Sequence, residues 1–513
     1  MSIFYLGEDQ LNFHSLDALV KGELKPTVSA SVKDRVTRFR RQVEAALSSD
    51  KSVYGINTGF GFLSDVAISN DQLEELQVNL VRSHACGVGS PVDDDVVAGL
   101  LILRLHTFCL GHTGISLDCV EHILTCLDQN IRPEIPEKGS VGASGDLAPL
   151  AHLALGLMGE GRVREDQAFL PASEVFKKRG LRPYQLKPKE GLSLINGTHF
   201  MAVLGARALS QAEILLRSAD VILAMSLDAI RGTTVAFDER IHDIRPQPGQ
   251  QLVASNLRRI FAAPDPIRDS HEDCGKVQDP YSFRCAPQVH GASRDAQRYV
   301  STVVNAELNA VTDNPLCFHD ENDAIGSIIS GGNFHGQPVA LAMDFLAIAM
   351  SEIGSISERR IEKLTNPAMS GLPAFVTRDS GVNSGYMIPH VVAAALVSEN
   401  KGLCHPASVD SIPTSADKED HVSMGPIAAR QALSVIDNVA HILSIELLTA
   451  CQGIDLMAPL QPNAYLKTIY EKVRSFSDTM NTDRSLHQDI AKTKDWLLRG
   501  QLLRTLPESL TIE

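Results

Sequence analysis

Positive charge is in deficit along this 513-residue chain. It has 47 Lys and Arg residues against 62 Asp and Glu residues, which gives a formal charge of −15. Because affinity for a nucleic-acid backbone comes largely from clustered cations, this balance argues against nucleic acid and favours a small molecule as ligand. The apolar content of 44% and the charged content of 21% are ordinary for a globular protein, which excludes disordered and fibrous classes.

Paired cysteines and targeting signals are also missing. The nine cysteines are scattered and form no CxxC pair, a pattern that predicts reduced thiols rather than disulfides or a zinc site. The amino terminus, MSIFYLGEDQ, has no basic region followed by an apolar run, so we expect no secretory signal. These absences predict a cytoplasmic protein without a metal site or a membrane partner.

No internal repeat, low-complexity segment or long linker divides the chain. The pattern changes near residue 200: residues 1–200 mix short helices with glycine-rich turns, whereas residues 201–513 are dominated by helical periodicity. We therefore predict a mainly α-helical fold, a long-helix bundle with a smaller mixed N-terminal part, the two together forming one unit.

Three segments predict the long helices of this bundle. Apolar residues recur at steps of three and four over 201–231, 337–363 and 426–452, and Gly232 and Gly453 offer stops for the first and last. Acidic residues interrupt each apolar surface where a bilayer would penalise them, which favours core helices over membrane spans. Those residues are Asp220, Asp228, Asp344 and Glu446.

The stretch GSVGASGDLAPLAH, residues 139–152, carries unusual chemistry. A serine-hydrolase elbow needs G-x-S-x-G, but Asp146 stands where the last glycine belongs. As plain structure it predicts a turn, with Asp146 as the N-cap of a helix over Leu147 to Leu157. The minimal bulk of Ala143-Ser144-Gly145 also permits the Gly145 nitrogen to attack the Ala143 carbonyl. Loss of two waters, one of them from Ser144, would then give a strong electrophile.

Six blocks in order make the sequence similar to the aromatic amino acid lyase family over essentially its whole length. They are YGINTGFG (54–61), GSVGASGDLAPLAH, NGTH (196–199), QDPYSFRC (278–285), SGGNFHG (330–336) and EDHVSM (419–424). The resemblance implies that Ala143, Ser144 and Gly145 mature autocatalytically into 4-methylideneimidazole-5-one (MIO), with no added cofactor. It also implies a homotetramer with shared active sites, in which residues 54, 281 and 284 come from chains other than the one carrying Ser144.

Polar residues in these blocks are candidates for substrate binding. Arg284 can pair with a substrate carboxylate through two parallel hydrogen bonds, which Lys could not copy. Asn196 offers a donor and an acceptor to the substrate carboxylate or the ring carbonyl, and Gln278 has the same capacity. As plain structure, Arg284 would be a surface ion-pair residue and Asn196 a turn residue.

The resemblance assigns the remaining catalytic roles. It places Tyr54 and Tyr281 at the site, one as the base and the other near the electrophile, with Tyr54 the candidate base; its phenol pKa must be lowered to act at neutral pH. Glu419 is the group that holds or deprotonates an imidazole, and Phe334 is a pocket wall. Either tyrosine could instead be a buried aromatic with one hydrogen bond.

The substrate is indicated by the pair Ser83-His84, which resembles the histidine-acting members rather than those acting on tyrosine or phenylalanine. His84 can partner a buried imidazole, whose unpaired nitrogen would cost about 1 to 3 kcal/mol. Met387 also favours a histidine substrate, since plant phenylalanine lyases carry Lys at this position. His199-Phe200 departs from the resemblance, because many histidine lyases have Gln directly after NGT. We expect elimination of ammonia from L-histidine to give urocanate. A tyrosine or phenylalanine lyase, an aminomutase and a non-catalytic helical scaffold are the alternatives.

Overall fold

The computed structural model describes residues 2–48, 56, 58, 72–271, 277–320 and 323–513, without the side chains of residues 320 and 323–326. The chain forms two compact units. The first comprises Met1–Arg207, Ser301–Met343 and Pro406–Arg430, and the second Ala208–Val300, Asp344–His405 and Gln431–Glu513. A division of the chain at residue 200 stays a prediction from the sequence. The later breaks were not anticipated, because most of them fall inside continuous helices where composition marks no boundary.

The first unit holds short helices and two-stranded sheets. Its elements are β1 (Ser2–Tyr5), α1 (Phe13–Val20), β2 (Leu24–Thr27), α2 (Ala30–Leu47), α3 (Leu73–His84), β3 (Val88–Pro91), α4 (Asp94–Cys109), α5 (Leu117–Asp128), β4 (Pro136–Lys138), α6 (Ala148–Leu157), β5 (Arg162–Glu165), β6 (Ala168–Pro171), α7 (Ala172–Arg179) and α8 (Glu190–Ile195), followed later in the chain by β7 (Leu316–Asp320) and β8 (Asp323–Ile329).

Helix α4 is the core element of this unit. Its sequence is mostly apolar, and every residue from Val96 to Cys109 is buried, including the polar Arg104 and His106, as expected for a helix surrounded by others. Helices α1, α2 and α5 pack against it. By contrast α2 is amphipathic, with Val32, Val36 and Phe39 buried at helical spacing, and the hydroxyl of Ser29 accepts the Val32 amide N–H at its start.

The strands are short and pair only two by two. β1 and β2 are parallel, with Ser2 opposite Leu24, whereas β3–β4, β5–β6 and β7–β8 are antiparallel. These small sheets connect helices and form no layer of their own, so the mainly α-helical fold predicted from the sequence is confirmed.

Four long helices dominate the rest of the chain: α9 (His199–Ala229), α14 (Ala286–Glu307), α15 (Gln337–Thr365) and α18 (Gly425–Leu456). Three of them confirm the predicted helical segments. The predicted stop at Gly453 is wrong, because α18 continues to Leu456. A Cβ at Gly453 would lie 3.1 Å from the Ala229 Cβ, so this glycine serves close helix packing rather than termination.

The second unit completes its fold with shorter helices. They are α10 (Glu239–Asp243), α11 (Pro248–Ile260), α12 (Pro266–Asp269), α13 (Tyr281–Arg284), α16 (Pro367–Ser370), α17 (Met387–Leu403), α19 (Ala464–Arg474), α20 (His487–Leu498) and α21 (Gln501–Thr505). One of its apolar clusters joins Ile361 of α15 with Ala393 of α17 and Ile442 of α18.

Among the residues that the structure describes, two helices, α15 and α18, are long and apolar enough to cross a membrane by length and composition. Their most apolar windows have mean hydropathies of 1.7 and 1.4 and are 67% and 72% buried inside the protein. Because core helices of soluble proteins pass the same test when they are mostly buried, this pattern matches the core role predicted for both.

We predict that His106 of α4 makes the protein sensitive to acid. It is 1% exposed, and its Nδ1 accepts the Gly7 amide N–H at 3.2 Å; burial lowers its pKa from 6.5 to about 4. As the pH falls from 6.5 to about 4, the His106 ring takes up a proton in the unfolded chain but stays neutral in the folded chain. The free energy of unfolding should therefore drop by about 3 kcal/mol through this residue.

Denaturant unfolding of the wild type and His106→Asn at several pH values measures this effect. The Asn variant keeps an acceptor for Gly7 but has no titrating ring, so it should lose less stability on acidification. Equal losses in the two proteins would rule out His106 as the cause.

Candidate active site

A cavity of about 560 Å³ lies within the first unit. It is formed by the end of α3, the loop before α6, the end of α8, Asn314, the 330–335 loop and the 415–421 turn. Six of the candidate site residues line it together: His84, Ala143, Ser144, Asn196, Phe334 and Glu419. The structure thus brings residues from five distant parts of the sequence around Ser144.

The backbone of the 142–146 loop has no room for larger side chains. Gly145 has a φ of +77°, and a Cβ there would lie 2.1 Å from the Gly197 carbonyl oxygen. This contact follows from direct backbone pairing: the Gly197 amide donates to the Ser144 carbonyl at 3.2 Å, and the Asp146 amide donates to the Gly197 carbonyl at 2.8 Å. A Cβ at Gly142 would likewise meet the Ser423 hydroxyl at 2.3 Å. Glycine is therefore required at both positions.

Asp146 has a different role from the one predicted. The prediction that it caps the following helix is wrong: α6 begins at Ala148 after Leu147, without a side-chain cap. Instead the Asp146 carboxyl accepts the Phe200 amide N–H at 2.5 Å and the Met201 amide N–H at 3.4 Å, at the start of α9. Burial raises the Asp146 pKa to about 8, while these two amides oppose the shift. The residue therefore ties the loop to α9.

Glu419 is the hydrogen-bond partner of Ser144. The Ser144 hydroxyl donates to Oε1 of Glu419 at 3.2 Å, and the Thr414 hydroxyl donates to Oε2 at 2.7 Å. Backbone hydrogen bonds of 2.9 and 3.3 Å pair Thr414 with Glu419. Thr414 was missed in the sequence because nothing in its neighbourhood marks a hydroxyl that will face a carboxylate five residues away.

Asn196 lines the cavity, and its amide nitrogen is already hydrogen-bonded inside the protein. Its Nδ2 donates to Oδ1 of Asp313 at 3.2 Å and to the Asn314 carbonyl at 3.3 Å. Both partners are pure acceptors, which fixes the orientation of the amide. Its Oδ1 is buried without a hydrogen-bond partner among the described residues. Asn196 was expected to act as donor and acceptor, but inside the protein its donor is already in use and only its acceptor is free.

A buried ion pair stands behind Asn196. Lys189 and Asp313 are 1% and 0% exposed, with Nζ and Oδ2 3.0 Å apart, and Ser193 also donates to Asp313 at 2.9 Å. Arg104 donates to the Leu194 and Asn196 carbonyls at 2.7 and 2.6 Å. Lys189 and Asp313 are 124 residues apart, so no local sequence signal could have paired them.

His84 is anchored through one ring nitrogen. Its Nδ1 lies 2.8 Å from the Leu80 carbonyl oxygen, and since a carbonyl only accepts, Nδ1 carries the proton when the ring is neutral. The hydroxyl of Ser83 lies 3.1 Å from the same nitrogen. This arrangement leaves Nε2 as an acceptor at the cavity wall.

Two further histidines, His335 and His421, line the cavity and were not anticipated as site residues. Their rings stack with centroids 5.7 Å apart and an interplanar angle of 7°. A ring nitrogen of His335 lies 3.2 Å from the His421 carbonyl oxygen. Both belong to blocks already recognised, SGGNFHG and EDHVSM, which was the available signal. No group of three or more potential metal-ligating side chains occurs in the part of the chain that the structure describes.

The other candidates belong elsewhere in the chain. Gln278 and Arg284 line a separate cavity of about 740 Å³ within the second unit. Tyr281 is 70% exposed, and the Arg284 guanidinium lies 4.4 Å from the centre of its ring, a cation–π contact. Met387 is the first residue of α17. Tyr54 lies outside the described residues.

We predict that Gly145→Ala strongly destabilises the protein. The new methyl group would overlap the Gly197 backbone in a left-handed conformation, so the free energy of unfolding should fall by about 3 kcal/mol or more. Gly180→Ala is the matched control, since Gly180 has a similar φ of +68° but no atom within 4 Å of a Cβ. It should cost about 1 kcal/mol. Equal losses in denaturant unfolding would contradict the role given to the Gly197 contact.

Comparison with known proteins identifies the family. The family model described as aromatic amino acid lyase matches residues 11–475. The histidine ammonia-lyase of Sorangium cellulosum is 47% identical over 505 residues, covering 98% of each chain. The structure of histidine ammonia-lyase from Trypanosoma cruzi superimposes with a TM-score of 0.90 at 44% identity, covering 100% of this chain and 98% of that one.

A related structure with another activity has the same fold. The tyrosine aminomutase of Streptomyces globisporus gives a TM-score of 0.92 at 35% identity, covering 98% of each chain. The fold is therefore shared across activities, while sequence identity is higher to the histidine ammonia-lyases. This chain belongs to the aromatic amino acid lyase family.

Proposed function

We propose that this chain is a histidine ammonia-lyase, which cleaves the carbon–nitrogen bond of L-histidine to give urocanate and ammonia. The observation that carries the proposal is the position of Ser144 in a cavity with His84, Asn196 and Glu419. His84, Asn196 and Glu419 each carry an acceptor, which suits a substrate with ring N–H and ammonium donors. The 47% identity to a histidine ammonia-lyase supports the same substrate.

The Ala143-Ser144-Gly145 loop fits formation of 4-methylideneimidazole-5-one. Ala143 is 6% exposed, and no hydrogen bond among the described residues uses the Gly145 amide N–H. That nitrogen is thus available for ring closure, and the two residues that the new bond would join, Ala143 and Gly145, carry little side-chain bulk. When formed, this group supplies an electrophile that draws electrons from the substrate and so promotes loss of ammonia.

Three side chains of the cavity bind and orient the substrate. His84 Nε2 accepts an imidazole N–H, which fixes the ring and avoids an unpaired nitrogen. Asn196 Oδ1 accepts an N–H of the substrate ammonium, since its amide nitrogen is held by Asp313. Glu419 accepts a proton or a hydrogen bond from the imidazole, and Phe334 closes the wall beside the ring.

Other groups complete the site from neighbouring copies of the chain in a homotetramer. Arg284 pairs with the substrate carboxylate through two hydrogen bonds, assisted by Gln278. Tyr54 acts as the base, Tyr281 lies beside the electrophile, and Met387 borders the pocket. An exposed apolar stripe on α15 supports association between copies: Leu341, Phe345 and Ile348 are 49%, 43% and 40% exposed at helical spacing.

A reducing, cytoplasmic location is part of the proposal. The eight cysteines within the described residues are all free thiols, which suits a compartment where glutathione keeps cysteines reduced. The ligand is a small amino acid, and the net charge of −15 agrees with the absence of a nucleic-acid partner.

We predict that the purified protein weighs two water molecules less than its sequence and converts L-histidine to a product with the ultraviolet spectrum of urocanate. Ser144→Ala should abolish both the mass deficit and the activity, because Ser144 supplies the methylidene carbon. Intact mass spectrometry and absorbance assays with histidine, tyrosine and phenylalanine measure this. Turnover of tyrosine or phenylalanine alone would favour another activity of the family, and an unaltered mass without turnover would indicate an inert scaffold.

We predict that His84→Leu changes substrate preference. Loss of the acceptor for the imidazole N–H should lower kcat/KM for histidine roughly tenfold to hundredfold and raise the relative rate with tyrosine. His487→Leu, at an exposed position of α20, is the control and should behave as wild type. Unchanged discrimination between histidine and tyrosine in His84→Leu would remove His84 from substrate recognition.

A further inference from the structure

The hydroxyl that must leave during formation of the electrophile contacts a carboxylate. Ser144 Oγ donates to Glu419 Oε1 at 3.2 Å, and no other hydrogen-bond partner of this hydroxyl occurs among the described residues. Hydroxide is a poor leaving group, so the oxygen must acquire a proton as its bond to carbon breaks. Glu419 is the titratable group at hydrogen-bond distance from that oxygen.

Thr414 fixes the orientation of Glu419. Its hydroxyl occupies Oε2 at 2.7 Å, which leaves Oε1 directed at Ser144. The two residues are held side by side by the turn between them, in which Ser415, Ala416 and Asp417 have φ values of 52°, 53° and 65°. Left-handed conformations of such residues cost about 1–3 kcal/mol each and persist where the surrounding structure enforces them, often at functional sites.

We propose that Glu419, positioned by Thr414, carries the proton that allows Ser144 to lose its hydroxyl as water during maturation of the chain. The inference rests on the proposed function, because it concerns the self-made prosthetic group. It gives Glu419 a task before any substrate binds, in addition to its contact with the substrate imidazole.

The step balances without a co-reactant. The Glu419 carboxylate accepts the proton of the Ser144 Cα, and the electron pair of that C–H bond forms the Cα=Cβ double bond. The Cβ–Oγ bond breaks with its pair on oxygen, and Oγ takes the proton back from Glu419 and departs as water. The carboxylate is regenerated. The other lost water comes from the Ala143 carbonyl oxygen after attack by the Gly145 nitrogen, so Glu419 serves only one of the two losses.

The test follows the mass of newly made protein with time. Full-length chains are produced by cell-free synthesis, samples are stopped at intervals, and intact mass spectrometry counts the waters lost. In Glu419→Gln the amide cannot carry the proton, so the final loss should slow by roughly a hundredfold or more and a species lacking one water should accumulate. Thr414→Val should slow it roughly tenfold, and Thr414→Ser should restore the wild-type rate because it restores the hydroxyl.

Controls separate this proposal from the function itself. Glu399→Gln removes an exposed carboxylate of α17 and should mature like wild type, and circular dichroism establishes that each variant is folded. Glu419→Gln that loses both waters at the wild-type rate, or that loses neither, overturns the assignment of Glu419 to the Ser144 step. If that variant does not fold, equal rates in Thr414→Val and Thr414→Ser overturn it. A wild-type protein without any mass deficit would refute the proposed function instead.

Discussion

The close approach of two glycines is the constraint on which the site depends. Gly145 and Gly197 pair through their backbones so tightly that a methyl group on Gly145 would lie 2.1 Å from the Gly197 carbonyl oxygen. This pairing fixes the two peptide groups that flank Gly145 and, through Asp146, ties the loop to the start of α9. The small residues of the loop allow it to lie against the Gly197 backbone, and in the proposed function they also permit ring closure between Ala143 and Gly145.

Buried charge gives the surrounding groups their orientation. Asp313, held by Lys189 and Ser193, receives the amide nitrogen of Asn196. In a low-dielectric interior, a flipped amide would place its oxygen against the Asp313 carboxylate, so the observed orientation is strongly favoured. Glu419 is oriented in a similar way by Thr414, whose hydroxyl donates to Oε2. The cavity is therefore preorganised by hydrogen bonds that lie outside the substrate space.

Local sequence patterns predicted the long helices, but they gave the wrong role to residues whose contacts depend on tertiary packing. The helical periodicity over 337–363 corresponds to helix α15, Gln337–Thr365. The prediction succeeded because the apolar residues that recur at helical spacing are the ones that such a helix buries. The roles predicted for Gly453 and Asp146 were wrong because each depends on a neighbouring helix. Gly453 was predicted to be a helix stop, but it allows close packing against Ala229 of α9. Asp146 was predicted to be the cap of α6, but its carboxyl accepts an amide N–H at the start of α9.

Ordered motifs and periodicity along the chain were enough to predict the family and the mainly α-helical class, and they singled out the 143–145 loop as the candidate for the chemistry. Tertiary contacts set which five candidates share a cavity with Ser144 and which partners orient them. Lys189 and Asp313 lacked any local signal, since their roles arise from a contact between segments that only folding brings within hydrogen-bond distance. Thr414 lies only five residues from Glu419, but nothing in the sequence shows that the turn between them brings its hydroxyl to the carboxylate.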